Sequence, residues 1–170
     1  MLKKRGAPVT GLIDLKTNWL SPPSTVSCVN NLYSYWQRQK GNKVCPSKSD
    51  IRPKDLISCL SRVFLVDVLD DGNFRFRLAG SHFCDVTHRR MAGDFIEAVF
   101  PEMFCAEVRK AWQHASDGAT VLGRGKVWIP AKDFLQWEGI VLPLSQPGKN
   151  IDTLVGVIEF QPRRAAQESL

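Results

Sequence analysis

The chain has 170 residues, 44% hydrophobic and 24% charged, with a formal net charge of +6. A domain of this length buries about 70% of its unfolded surface and needs neither metal nor disulfides to be stable, and the composition excludes a disordered or fibrous class. No apolar run approaches the roughly 20 residues that span a bilayer, and the basic start MLKKRGAPVTG has no apolar segment behind it, so the expectation is a cytoplasmic protein without membrane insertion or a secretory signal.

The charge is unevenly placed. Residues 1–60 hold ten Lys/Arg against three Asp/Glu, a net +7; residues 61–170 hold thirteen against fourteen, a net −1. A uniformly cationic nucleic-acid binder is not built this way, whereas a basic extension that meets an acidic partner is. Cys28, Cys45, Cys59, Cys84 and Cys105 are odd in number and never closer than 14 positions. Without a C-x-x-C pair there is no zinc-ribbon or redox signature, and reduced, mostly buried thiols are expected.

In chain order, residues 1–20 lack sustained periodicity and carry Gly6, Pro8 and Gly11, which predicts a mobile or loosely docked tail, and the flexible N-terminal segment is bounded at 1–23. Ser21-Pro22-Pro23-Ser24 offers a helix start. Val26, Val29, Leu32, Tyr33 and Trp36 then recur at helical spacing up to Gly41, an amphipathic helix within a helix-and-connector segment over 24–60. Its apolar stripe needs cover, from its own domain or from a second copy. A short helix over 51–57 is expected to open with Asp50 as its cap. The core is placed at 61–161. Val63 to Leu69 is a β-rich run, Asp70-Asp71-Gly72-Asn73 a tight turn, and FRFRLA (74–79) the returning strand. Phe74 and Phe76 share one face of it; Arg75 and Arg77 share the other, available to Asp67 or to an anion.

Gly93 to Glu97 begins a short helix. From Pro101 a longer one sets Phe104, Val108, Ala111, Trp112 and Ala115 on one face, to Asp117-Gly118. Three strands follow, within 120–130, 134–145 and 152–161, and residues 162–170 form a C-terminal tail. Hairpin-joined strands with one helical crossover give an α+β fold with an antiparallel sheet.

The local text is more specific. Tyr35-Trp36, Val44-Cys45-Pro46, Asp50-Ile51-Arg52-Pro53, Arg77-Leu78-Ala79-Gly80, His88-Arg89-Arg90-Met91-Ala92-Gly93 and Leu142-Pro143-Leu144 resemble, in this order, the motifs of the bacterial short single-domain PAS proteins found mainly in alphaproteobacteria. The resemblance covers about residues 28 to 161. Where the family has Gly and Asp this chain has His88 and Arg90, and Ala92 replaces Thr. The resemblance implies a PAS fold: a five-stranded antiparallel sheet of order 2-1-5-4-3, a helical crossover on one face and an N-terminal amphipathic helix. It also implies a sensory and protein-interaction module of bacterial signalling. Some relatives hold a small ligand between sheet and helices, and the N-terminal helix commonly mediates dimerisation.

His82-x-Cys84-x-x-x-His88 is a soft-ligand cluster without the paired spacing of a zinc site. His114 lies on the long helix but off its apolar stripe, so haem is not expected. No nucleophile triad, phosphate loop or carboxylate pair stands out; Gly123-Arg124-Gly125-Lys126 lacks the spacing of a phosphate loop and reads as a strand with close backbone approach. Trp112, Trp128 and Trp137 are able to line a cavity. The candidate ligand-binding set is Arg77, His82, Arg89, Arg90, Trp112 and Trp128, for a small anionic ligand; the dimerisation set is Val29, Leu32, Tyr33 and Trp36. No catalytic residue, metal or cofactor is assigned. The expected partners are a second copy and a signalling protein; a nucleic-acid-associated regulator using the basic N-terminal segment is the alternative.

Overall fold

The computed structural model describes residues 13–17, 24, 26–147 and 149–163. Among these residues six strands form one sheet: β1 (Ile13–Thr17), β2 (Val63–Val68), β3 (Phe74–Ala79), β4 (Val121–Lys126), β5 (Leu135–Ser145) and β6 (Ile151–Pro162). Their spatial order is β1-β4-β5-β6-β2-β3, with every neighbouring pair antiparallel. Set β1 aside, number the rest in sequence, and read from the β3 edge, and the order is 2-1-5-4-3, as expected. The remaining elements are α1 (Ser27–Lys40), α2 (Ser81–Thr87), α3 (Ile96–Val99), α4 (Glu102–Ser116) and 3-10 segments at Lys48–Asp50 and Pro53–Arg62.

β1 lies in the segment expected to be a mobile or loosely docked tail: Ile13 is opposite Gly125 and Thr17 opposite Val121 along the β4 edge, a strand that the sequence does not announce. The rest of that segment lies outside the described residues. At the other end Pro162 still belongs to β6, opposite Leu135, and the Arg163 N–H donates to Phe134 O at 2.8 Å, so the expected C-terminal tail begins later than 162; residues 164–170 lie outside the described ones.

Strand alternation divides the molecule into three layers. Phe64 and Val66 of β2, Phe74 and Phe76 of β3, Val141 of β5 and Leu154 and Ile158 of β6 face α2, α3 and α4 in one core. Val63, Leu122, Ile140, Leu142, Leu144, Val155 and Val157 face the opposite way and pack with α1 and the Pro53–Arg62 segment in a second core. The helix stripe that needed cover finds it in its own chain. Val29 and Leu32 are 0% exposed, Tyr33 4% and Trp36 1%. The expectation that these four side chains form a dimer contact is therefore corrected: the outer sheet face already occupies them.

Two local starts also differ. α1 begins at Ser27 with Val26 at its N-cap position, and Ser24 Oγ accepts the Val26 N–H at 2.8 Å. Asp50 does not cap a helix over 51–57. Its Oδ2 accepts the Ser47 N–H at 2.8 Å in the preceding turn, and the next 3-10 segment starts at Pro53, whose missing N–H costs nothing in a first turn. That hydrogen bond holds the Asp50 carboxyl below its ordinary pKa, with Lys43 at 3.2 Å adding to it. A carboxyl depressed in the folded state adds stability above its unfolded pKa and loses it as pH falls through the folded one. Melting temperatures of the wild type and Asp50→Asn should differ at neutral pH and converge in the acidic range.

The motif residues prove to be joints between layers. Tyr35 Oη accepts the Arg52 N–H at 2.9 Å and lies 3.0 Å from Asp50 O and 3.1 Å from Asp55 Oδ2, so it gathers the whole Asp50–Pro53 element onto α1. Trp36 Nε1 donates to Pro143 O at 2.9 Å. Pro143 is tolerated inside β5 because β4 pairing stops at Val141. Gly93, at φ 91°, donates to Phe76 O at 2.7 Å, and Phe76 N–H donates to Asp94 O at 2.9 Å, pinning that loop along the β3 edge. Tyr35→Phe removes one buried hydroxyl and its partners, and should cost about 1–2 kcal/mol in urea unfolding with no change in overall secondary structure by circular dichroism.

Candidate functional site

A cavity of about 60 Å³ lies between the inner sheet face and the helices. Its floor owes its depth to glycine. Gly123 of β4 and Gly139 of β5 are directly paired, and both line the space. On the floor around them stand Val121, Trp137, Val141 and Ile158. A Cβ at Gly139 would lie 2.8 Å from Val157 O, so that position has no room for a side chain. The roof comes from α2 (Phe83), the end of α3 (Phe100) and α4 (Phe104, Val108, Ala111, Trp112). Trp112 stacks on Phe64 with centroids 6.0 Å apart, and Trp128 meets Phe100 at 5.0 Å and Phe104 at 5.2 Å.

The structure brings two of the six predicted ligand residues, Trp112 and Trp128, to this cavity. The other four lie elsewhere. Arg77 Nε donates to Asp67 Oδ1 at 2.7 Å on the outer sheet face, with Arg75 Nη2 3.3 Å from Oδ2, the ion-paired arrangement that the alternation of β3 foresaw. Arg89 pairs with Asp94 at 2.8 Å in an exposed turn, and Arg90 is exposed beside it. His82 Nε2 lies 3.2 Å from Glu159 Oε1, toward the outer layer. The structure therefore does not bring Arg77, His82, Arg89 and Arg90 together with the two tryptophans. Strand alternation sends Arg77 to the outer face, and the two turn arginines follow α2 out into solvent.

His82, Cys84 and His88 go to three different partners. Cys84 Sγ reaches Ala79 O at 3.6 Å, while His88 Nε2 sits 3.0 Å from Lys132 Nζ. A lysine ammonium only donates, so that imidazole nitrogen accepts. Lys132 Nζ also donates to Val86 O at 2.6 Å, which ties the β4–β5 connection to the end of α2. His88 adopts φ 53°, left-handed backbone in which glycine is at ease, at the position where the motif has Gly. His114 is exposed on α4, and Gly123-Arg124-Gly125-Lys126 lies inside β4 and precedes no helix.

Glu159 joins the sheet to the outer layer. Its carboxylate, on β6, pairs with Arg62 and approaches His82 of α2. Burial, with Glu159 beside it, pushes the Cys28 thiol up despite Arg62; burial likewise raises Cys59 and Cys105. These thiols stay protonated at neutral pH and are poor nucleophiles.

The paired glycines, Phe83 of α2 and Phe100 just after α3 line the cavity without having been among the candidate residues. The signal was present in β5, where Trp137, Gly139 and Val141 fall on one face at period two.

A 2-1-5-4-3 antiparallel sheet, crossed on one face by short helices that close on an apolar cavity, defines a sensory-type domain. The chain belongs to the PAS domain family, whose sequence pattern matches residues 24–159. Similar solved structures include the light state of the blue-light photoreceptor Aureochrome1 LOV, at 18% identity and TM-score 0.41 over 62% of this chain and 85% of that one. Another is an RNA-binding Light-Oxygen-Voltage receptor, at 12% identity and TM-score 0.47 over 86% of this chain; the match spans 38% of that protein. Comparison with curated proteins gives no match. Among the described residues no helix is long and apolar enough to cross a membrane.

Proposed function

We propose that this chain is a non-enzymatic sensory module of bacterial signalling that takes a small ligand in the cavity between sheet and helices and reports its presence to a protein partner. The apolar cavity carries the reading. It gathers side chains from two helices and four strands at the centre of the inner core, where occupancy would bear on all of them. β6 gives this reading a route outward. Its inner residues Ile158 and Phe160 belong to the cavity-side core, and Glu159 between them pairs with Arg62 at the end of the Pro53–Arg62 segment. A dimer through Val29, Leu32, Tyr33 and Trp36 is no part of this reading.

Thermal-shift screening of small uncharged compounds against the wild type and Ala111→Leu, which fills the cavity from α4, tests it. A ligand that binds only the folded state raises the melting temperature. A compound that does so for the wild type and not for the filled variant supports the reading. A collection that shifts neither protein, or both alike, overturns it.

A further inference from the structure

We infer that the cavity selects a small uncharged molecule with one hydrogen-bond acceptor, a ketone, aldehyde or ether, held by the indole N–H of Trp137. This rests on the reading of the cavity as a ligand site and adds the chemical class. Size comes first. An apolar cavity of about 150 Å³ takes benzene; one of about 60 Å³ holds fewer atoms, roughly three to five non-hydrogen atoms with slight expansion. Charge comes second. Among the described residues no ionisable side chain lines the space, so an ion entering it would lose its hydration with nothing in exchange.

The acceptor follows from Trp137. Its Nε1 is buried and meets no acceptor among the described residues. The local sequence explains why: its partner across the β4–β5 pair is Gly125, and the next residue on its own face is Gly139. Neither brings a side chain that could accept. An indole nitrogen only donates, and a buried donor left unpaired is costly, so a ligand oxygen placed there is favoured beyond its apolar contact. With so few atoms, affinity is no tighter than a few micromolar.

Acetone and isobutene, alike in shape but differing in the oxygen, are titrated into the full chain and followed by NMR. The Trp137 indole signal is assigned by its loss in Trp137→Phe. Both probes should shift the methyl signals of Val121 and Val141, and acetone alone should move the Trp137 indole proton downfield. Trp137→Phe should weaken acetone about 5–10-fold and isobutene less than about twofold. If neither probe moves those methyls, the cavity reading itself fails, and this inference with it. If both move them but acetone leaves the indole proton in place, or the variant weakens both probes equally, the acceptor inference fails and the cavity reading stands. Should Trp137→Phe not fold, the indole signal is assigned by triple-resonance experiments on the wild type, and its shift with acetone decides alone.

Discussion

Trp36→Ala should lower the unfolding free energy by about 3–5 kcal/mol, the range for deleting a buried indole. The ring is 1% exposed at the centre of the outer core, and its Nε1 holds Pro143 O of β5. Truncation therefore opens a cavity under α1 and strips a buried carbonyl of its donor. Urea unfolding monitored by circular dichroism reads the loss directly. A fully stable variant whose mass halves in light scattering would instead restore the helix as an interface between copies. Trp36→Phe separates the two contributions: it keeps most of the packing and loses only the hydrogen bond, so about 1 kcal/mol should go.

Gly80→Ala is the second large effect, and its cause is space. Gly80 sits at φ −65°, a conformation any residue adopts. Its added Cβ would lie 2.3 Å from Ser61 O, 2.5 Å from the Ser61 carbonyl carbon and 2.8 Å from Leu60 O. All three are backbone atoms at the end of the Pro53–Arg62 segment, and Gly80 N–H donates to Val63 O at 2.8 Å in the same crossing. Nothing there can rotate away, so the cost falls at the upper end of overpacking, about 3 kcal/mol. Gly72→Ala is the contrast. That residue has φ 79° and open space around it, so only the backbone penalty of about 1–2 kcal/mol applies. A smaller loss at Gly80 than at Gly72 would contradict the close crossing.

These two positions show what was legible in the sequence. Tyr35-Trp36, Asp50–Pro53, Arg77–Gly80 and Leu142–Pro143–Leu144 identified the family, and each is a contact between layers, so the text that named the fold is the text that holds it together. Hairpin and meander were readable because period-two alternation and turn residues are local signals. β1 was not read as a strand. Five residues of alternation, Ile13 to Thr17, are too short to stand out without the β4 edge that pairs with them.

The site was less legible for a physical reason. Basic and histidine residues between Arg75 and Arg90 drew attention as chemistry, yet they are paired with Asp67, Asp94 and Glu159 or exposed in turns. The cavity is made by small residues facing large ones across the core. Gly123 and Gly139 matter because they are paired on the sheet under Trp112, a relation between strands that no window of sequence displays. Whether α1 covered its own sheet or another copy was likewise a tertiary question: the stripe shows only that cover is needed.

The central claim is an apolar cavity on the inner sheet face and a closed, well-packed core beneath α1 on the outer one. Methyl NMR under xenon pressure tests it most directly, because xenon enters apolar voids without needing a specific partner. The account predicts shifts at Val108, Val121 and Val141, and none at Val29, Leu142 or Val155. Unmoved signals in the first group, or xenon shifts concentrated in the second, would contradict it.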